Sequence, residues 1–148
     1  MSGSSLRRKP RILFIGESNR SRTQMAEGYV RSLGNEYFDV QSAGMSSNRV
    51  DKRAVTVMSE DGINIGAQKG KLISAALLTW ADLVIVIEGE DEKFNAPVPS
   101  SASEKRWTVA CPVDRATGEL DLQPFREARD QIKRRVTQLI NSVRLFKR

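Results

Sequence analysis

Two short segments carry uninterrupted runs of apolar residues, Arg11–Ile15 with four of them and Leu83–Ile87 with five. Branched runs without polar alternation are typical of strands that are covered on both faces of a sheet. The first run stops at Gly16 and is followed by polar residues. Two further segments, Phe38–Ser42 and Trp107–Ala110, are also predicted to be strands.

Helical periodicity appears between and after these strands. Apolar residues at spacings of three and four predict a helix over residues 25–33 and a long C-terminal helix over residues 125–143. Shorter helices are predicted at Lys52–Asp61 and Ile73–Trp80. The segment Glu88–Lys105 is rich in acidic residues, proline and serine, and it is predicted to be a loop.

Local signals mark both ends of the first helix. Ser21 followed by Gln24 resembles a capping box, in which two side chains bond the free backbone N–H groups of the first turn. At the other end, Gly34-Asn35 predicts a stop in the left-handed conformation. The helix is therefore expected to begin beside the polar residues that follow the first strand.

Strands that alternate with helices predict an α/β fold with right-handed crossovers. We expect a Rossmann-like, three-layer architecture with a four-stranded parallel sheet and helices on both faces. A chain of 148 residues suits one domain, predicted at residues 11–148 after a flexible basic tail at residues 1–10. Ligands of such folds bind beyond the carboxyl ends of the strands, so the loop after Ile15 is the first candidate site.

The net charge of +6 comes from the two ends of the chain. Residues 1–10 and residues 144–148 contribute three basic groups each, so 18 of the 24 Lys and Arg residues remain to balance 18 acidic residues. The domain body is therefore formally neutral. Basic ends of this size predict weak contact with polyanions rather than a dedicated nucleic-acid face.

The chain has one cysteine, Cys111, and no histidine. An internal disulfide is therefore impossible, and mechanisms that need a histidine base or a histidine metal ligand are excluded. No apolar run approaches the roughly 20 residues that span a bilayer. We expect a cytoplasmic protein without membrane insertion, and the sequence indicates no metal and no other cofactor.

The loop between the first strand and the first helix is a candidate anion-binding site. Backbone N–H groups ahead of a helix N-terminus attract a tetrahedral oxyanion, and Arg22 would add a guanidinium fork. Alternatively, the loop is polar only because it joins a strand to a helix, and Arg22 is solvated. The candidate residues are Gly16, Glu17, Ser18, Asn19, Arg20, Ser21, Arg22 and Thr23.

Several stretches, in register, resemble the low-molecular-weight protein tyrosine phosphatases and the thioredoxin-coupled arsenate reductases that share their fold. A strand and a loop with Asn19, Arg22 and Thr23 are followed by Gln24-Met25-Ala26-Glu27-Gly28, as in that family. The resemblance implies phosphoryl or arsenyl transfer at this loop through a nucleophilic cysteine. Further matching stretches are Gln41–Gly44, Met58–Ile65, Asp82–Ile87 and Phe125–Ile132.

The chain departs from the family at the nucleophile. The attacking cysteine of the family falls on Gly16, six residues before Arg22, and its second loop cysteine falls on Ser21. Glycine has no side chain that attacks phosphorus or arsenic. Ser18 and Ser21 are candidates for a replacement nucleophile, although no base accompanies them and Ser21 also has a capping role.

Other residues that the resemblance implies are present in altered form. Asn19, Ser42 and Gln68 stand where the family holds its loop with an asparagine, a serine and a histidine. The general acid of the family is an aspartate before a proline. Here Asp114 is the first candidate for that acid and Asp121 the second, and a turn role for Asp114 stays open.

Cys111 precedes Pro112, as a resolving cysteine precedes proline in the arsenate reductases. Arsenate reduction takes its electrons from disulfide formation, which one cysteine cannot provide within the chain, so we expect a buried structural thiol. Glu17 is a second departure, because a carboxylate in the loop repels an anion. Arg20 or Arg22 would neutralise Glu17, and in the extreme case Glu17 pairs with Arg22 and fills the site.

Three functions remain open on the sequence. The first is a catalytically impaired phosphatase-like domain, regulatory in role, that binds phosphate, sulfate or arsenate, or a phosphorylated partner protein. The second is an active tyrosine phosphatase or arsenate reductase with a relocated nucleophile. The third is a non-catalytic interaction module that uses its surface or its basic ends.

Overall fold

The structure is a computed structural model that describes residues 8–93 and 95–146. Four parallel strands, β1 (Arg11–Gly16), β2 (Asp39–Gly44), β3 (Leu83–Glu88) and β4 (Ser103–Thr108), form one sheet in the order β2-β1-β3-β4, so the predicted α/β fold is confirmed. β1 and β3 lie in the middle and are almost wholly buried, as their apolar runs predict.

Helices connect and cover these strands. The helix Ala75–Trp80, α3, begins two residues later than predicted, because the Ser74 side chain accepts the N–H of Leu77 and caps the helix there. The helix Pro112–Arg115, α4, is a single turn, too short to show a period in the sequence. None of the described helices is long and apolar enough to cross a membrane. They are α1 (Arg22–Leu33), α2 (Lys52–Glu60), α3 (Ala75–Trp80), α4 (Pro112–Arg115) and α5 (Gln123–Phe146).

The two faces of the sheet bury different partners. Ile12 and Phe14 pack with α1, α2 and α5, whereas Leu13 and Ile15 pack with α3 and the segment 96–102. This alternation is the period of two that a pleated strand imposes. The larger core lies on the three-helix face, and both cores hold β1 rigidly under the loop that follows it.

β4 corrects one prediction. It begins at Ser103 rather than at Trp107, inside the segment that was predicted to be a loop. Only Trp107 of its six residues is buried, so its side chains show no apolar pattern. Backbone pairing with β3, from Leu83 and Ser103 to Glu88 and Thr108, defines the strand instead.

Both predicted end signals of α1 are wrong in detail. Ser21 is the N-cap residue, but its side chain makes no cap hydrogen bond, and Gln24 donates to Asn19 instead. Gly34 has φ −128°, outside the left-handed region. A Cβ on Gly34 would lie 2.8 Å from Ile140 Cδ1, so the close approach of α1 and α5 explains this glycine.

Arg8 and Lys9 belong to the tail predicted at residues 1–10, and both form hydrogen bonds with the domain body, while the flexibility of the tail stays a prediction. Arg8 donates two hydrogen bonds to the Asp82 carboxylate, at 2.6 and 3.0 Å, and these hold the pKa of Asp82 below its ordinary value. Lys9 Nζ donates to the carbonyl oxygen of Asn35 at 2.9 Å. Residues 1–7 and 147–148 lie outside the described residues. Polyanion contact through the ends therefore stays a prediction, as does the cytoplasmic location.

Candidate functional site

The loop at residues 16–23, which we call the oxyanion loop, leaves the central strand β1 and leads into α1. It surrounds a hollow of about 10 Å³, lined by the loop itself and by Ile87 near the end of β3. Eight successive backbone N–H groups, from Glu17 to Gln24, donate to no atom of the described residues. These free donors and the N-terminus of α1 create a partial positive charge at the loop.

Asn19 determines the path of the oxyanion loop. It is 1% exposed and has φ 51°, a left-handed conformation that asparagine adopts more readily than most residues. Its Nδ2 donates to Thr23 Oγ1 at 2.9 Å and to Ser42 Oγ at 3.0 Å. Its Oδ1 accepts the backbone N–H of Lys71 at 2.9 Å. One buried amide therefore connects the loop to α1, to β2 and to the segment after α2.

Further polar side chains support Asn19. Ser42 Oγ donates to Glu27 Oε1 at 2.6 Å, and Gln24 Nε2 donates to Asn19 Oδ1 at 3.0 Å. Gln68 acts through Gln24, because its Nε2 donates to Gln24 Oε1 at 2.8 Å. Sequence reasoning named Ser42 and Gln68 as supports but missed Gln24 and Glu27. The available signal was that both are polar residues on the buried side of α1.

Arg22 is 7% exposed and stands at the first turn of α1. Its Nη1 donates to the carbonyl oxygen of Val109 at 2.7 Å and forms an ion pair with Glu92 Oε1. The N–H of Gly89 donates to the same carboxylate oxygen at 2.9 Å. Nε and Nη2 of Arg22 have no partner among the described residues. Part of the guanidinium is therefore available to a ligand.

Glu17 does not fill the site. Its side chain is exposed and makes no hydrogen bond or ion pair with a described residue, while its carbonyl oxygen accepts the N–H of Ser46 at 3.0 Å. The alternative in which Glu17 pairs with Arg22 is therefore not observed, and Glu92 supplies the carboxylate instead. Glu92 follows Arg22 by 70 residues, in the segment predicted to be a loop, and no sequence spacing pointed to it.

Arg20 is neutralised outside the oxyanion loop. Its Nη2 lies 3.1 Å from Asp51 Oδ2. Burial acts to raise the pKa of Asp51, but hydrogen bonds from Arg53 and Arg20 outweigh it and keep the pKa below its ordinary value. Asp51 therefore stays charged at neutral pH and pairs with Arg20 Nη2, while Arg20 Nε is buried without a hydrogen-bond partner among the described residues.

The space at Gly16 is partly occupied. A Cβ on Gly16 would lie 3.0 Å from Thr23 Cγ2 and 3.4 Å from the carbonyl oxygen of Ile87. The first distance is shorter than an ordinary contact between carbon atoms. The methyl group of Thr23 therefore takes up part of the space in which a cysteine side chain at residue 16 would begin.

The loop serines lack the surroundings of a nucleophile. Ser21 is 4% exposed and Ser18 is half-buried. Neither hydroxyl makes a hydrogen bond to a carboxylate or to any other base among the described residues. A serine is a weak nucleophile unless such a base activates it, so the arrangement does not favour either candidate.

A second hollow, of about 480 Å³, brings together Glu92, Asp114 and Cys111. Glu90 and Asp91 also line it, so this hollow is acidic. Asp114 makes no hydrogen bond or ion pair with a described residue of the oxyanion loop. Cys111 is half-buried at the start of α4, rather than buried as expected.

Asp121, the second candidate acid, closes a turn. Its Oδ2 accepts the N–H of Thr117 at 2.9 Å and the Thr117 hydroxyl at 3.1 Å. The hydrogen bond from the backbone N–H is the main reason why the pKa of Asp121 lies below its ordinary value. A carboxylate stabilised in its charged form is a poor proton donor. No aspartate precedes a proline anywhere in the chain, so the acid that the resemblance implies has no direct counterpart.

Comparison with known proteins identifies a matching family and similar sequences for this chain. Residues 11–147 match the family described as low molecular weight phosphotyrosine protein phosphatase. An arsenate reductase of Halalkalibacterium halodurans is 34% identical over 126 residues, which cover 84% of this chain and 91% of that relative. Arsenate reductase 2 of Staphylococcus saprophyticus is 28% identical, over 90% of this chain and 98% of the relative.

Solved structures agree with the sequence relatives. An arsenate reductase in the phosphate binding state has a TM-score of 0.77 and 32% identity, covering 90% of this chain and 98% of that chain. An arginine phosphatase from Geobacillus stearothermophilus has a TM-score of 0.72 and 21% identity, covering 93% and 95%. At the lower identity, the likeness shows the fold alone.

Proposed function

The chain belongs to the low-molecular-weight phosphotyrosine protein phosphatase family, and we propose that it is a member that binds an oxyanion at residues 16–23 without turning it over. The ligand is phosphate, sulfate or arsenate, free or as the phosphate group of a partner protein. A domain that binds without turnover acts through its occupancy, so the proposed role is regulatory.

The row of eight unpartnered N–H groups from Glu17 to Gln24 carries this proposal. The hydrogen bonds of Asn19 hold these groups in place before a ligand arrives. Donors that are fixed ahead of a helix N-terminus bind an anion with little reorganisation. The hollow of about 10 Å³ admits about one water-sized group. One oxygen of a tetrahedral anion would enter it, with Nε and Nη2 of Arg22 available to the others.

The absence of a nucleophile supports binding without turnover. Residue 16 is glycine, and Ser18 and Ser21 have no base among the described residues. The one cysteine, Cys111, cannot form a disulfide within the chain. Arsenate reduction draws two electrons from a pair of thiols as they form such a disulfide, so this chain lacks the internal electron source for that reaction.

The relatives support phosphate as a ligand. The arsenate reductase in the phosphate binding state shares 32% identity and the fold with this chain. The same fold puts the loop after the first strand at the carboxyl edge of the sheet, where ligands of open α/β sheets bind. Phosphate is therefore the first anion to test.

Calorimetric titration with inorganic phosphate tests the proposal. We expect wild-type protein to bind phosphate at about millimolar concentration or below. Arg22→Ala should weaken binding at least about tenfold, because it removes charge-assisted hydrogen bonds to the anion. Arg22→Lys keeps the charge but loses the guanidinium fork, so its phosphate affinity should lie between those of wild-type protein and Arg22→Ala. Arg134→Ala, on the exposed side of α5, is the matched control and should bind as wild type.

Two results would contradict the proposal. The first is no phosphate binding at millimolar concentration, which would favour an interaction module that uses its basic ends. The second is turnover of an aryl phosphate or of arsenate that Arg22→Ala abolishes, which would identify an active enzyme with a relocated nucleophile.

Removing the carboxylate of Glu92 is expected to tighten phosphate binding. Glu92 competes with an anion for Arg22, and it is 24% exposed, so solvent screens part of the effect. Glu92→Gln should therefore raise the phosphate affinity about threefold. Glu90→Gln removes a neighbouring exposed carboxylate and is the control in the same titration. Equal affinities in both variants would show that Glu92 does not compete with the anion.

A further inference from the structure

A groove of about 770 Å³ opens beside the oxyanion loop. One wall runs from Ser47 into the start of α2, and the other is the segment 66–70. The walls meet at Gly70, where a Cβ would lie 1.8 Å from the carbonyl oxygen of Asn48. Ser47 Oγ also donates to the Gly70 carbonyl oxygen at 3.2 Å. We name this feature the basic groove.

Three positive side chains line the basic groove: Arg49, Lys52 and Lys69. All three are exposed, and none makes an ion pair with another described residue. The described residues that line the groove include no carboxylate. The nearby Asp51, in contrast, already pairs with two other arginines. The groove therefore presents three uncompensated charges on a domain body that is formally neutral.

One wall of the basic groove is hydrogen-bonded to the oxyanion loop, and the other is hydrogen-bonded to Gln24, the residue that follows the loop. Asn48 Nδ2 donates to the carbonyl oxygen of Ser18 at 3.1 Å. Gln24 Nε2, which also contacts Asn19, donates to the carbonyl oxygen of Lys69 at 3.1 Å. These bonds hold the groove next to the loop, so a chain attached to an anion in the loop is within reach of the groove.

We infer that the basic groove binds acidic side chains that flank a phosphorylated residue of a partner protein, while the phosphate lies in the oxyanion loop. This inference rests on the proposed function. Uncompensated charges of one sign favour a partner of the opposite sign. No aromatic side chain is among the described lining residues, although single-stranded nucleic acids are bound largely by stacking on aromatic rings. An acidic phosphorylated peptide fits this chemistry better.

The test uses two fluorescent phosphoserine peptides and fluorescence anisotropy. One peptide has glutamates on both sides of the phosphoserine, and the other has glutamines. Wild-type protein should bind the glutamate peptide about tenfold more tightly, because each exposed charge pair contributes severalfold at most, and added salt should reduce the difference. In Lys52→Gln/Lys69→Gln the preference should fall to about twofold. The control variant Lys105→Gln/Arg135→Gln removes the same charge from exposed positions on β4 and α5. It should keep the wild-type preference for the glutamate peptide.

Inorganic phosphate, titrated into each variant, separates this inference from the proposed function. Loss of the preference with unchanged phosphate affinity in Lys52→Gln/Lys69→Gln supports the groove. Equal affinity of wild-type protein for both peptides overturns the inference even where phosphate binds. An unchanged preference for the glutamate peptide in Lys52→Gln/Lys69→Gln also overturns the inference. Tighter binding of a single-stranded oligonucleotide than of the glutamate peptide overturns it too. No phosphate binding in wild-type protein overturns the proposed function, and this inference with it.

Discussion

Exchanging Gly16 for cysteine and Thr23 for serine in one chain is expected to produce hydrolysis of p-nitrophenyl phosphate. The introduced thiol would stand at the end of β1, next to the unpartnered N–H groups and the N-terminus of α1. Such surroundings lower a thiol pKa from about 8.5 to between about 3.5 and 7.5. The thiol would then be a thiolate, and thus a nucleophile, at neutral pH. The nitrophenolate leaving group needs little protonation, so a missing general acid matters least with this substrate.

The serine substitution matters because of packing. A Cβ at residue 16 would lie 3.0 Å from Thr23 Cγ2, and overpacking of a filled site costs about 1–3 kcal/mol. Serine removes that methyl group but keeps the hydroxyl that accepts the Asn19 amide. Gly16→Cys alone should therefore give less activity than Gly16→Cys/Thr23→Ser.

Release of nitrophenolate measures the rate, and the pH dependence of thiol alkylation measures the pKa. Gly16→Ala/Thr23→Ser has similar packing without the thiol, and it should not exceed the buffer rate. We expect the cysteine variant to exceed this control by about a hundredfold or more, given what fixed oxyanion donors contribute. An ordinary thiol pKa together with no turnover would show that the loop amides do not act on residue 16.

Asn19→Ala is expected to lower the free energy of unfolding by about 3 kcal/mol or more. The substitution leaves Thr23, Ser42 and the N–H of Lys71 without their partner, and each buried group left unpaired costs about 1–3 kcal/mol. It also puts alanine at φ 51°, which adds about 1–2 kcal/mol. The largest loss of stability among the changes considered is therefore expected at this residue.

Asn19→Gly separates the two contributions. Glycine adopts positive φ without a steric penalty, so this variant should be about 1 kcal/mol more stable than Asn19→Ala and still much less stable than wild-type protein. Urea unfolding measures both, with Asn141→Ala on the exposed side of α5 as a control that stays within about 0.5 kcal/mol. Losses below about 1 kcal/mol in both Asn19 variants would mean that the amide does not hold the loop.

The strands and helices that were predicted correctly are those whose burial leaves a local pattern. β1 and β3 are covered on both faces, and α5 buries one side over its length, so apolar runs and helical spacing mark them. β4 is mostly exposed and exists through backbone pairing with β3. Backbone hydrogen bonds between segments distant in the chain leave no such pattern.

The candidate site divides in the same way. The resemblance of the residues around Arg22 to a known motif identified the loop. It also identified Ser42 and Gln68 as residues that hold the loop in place. Glu17 was one alternative partner for Arg22, yet Glu92 forms the ion pair with Arg22. The segment after β3 brings Glu92 there, and its composition indicated only a loop.

The sequence by itself determined the α/β fold and the position of the loop after β1, because local composition and spacing carry that information. Only the tertiary structure decided that Glu92 pairs with Arg22, that the Thr23 methyl group lies beside Gly16, and that Arg49, Lys52 and Lys69 share one groove. The physical reason is that each of these contacts depends on how separate segments pack around the loop, and packing between distant segments leaves no periodic trace in the chain.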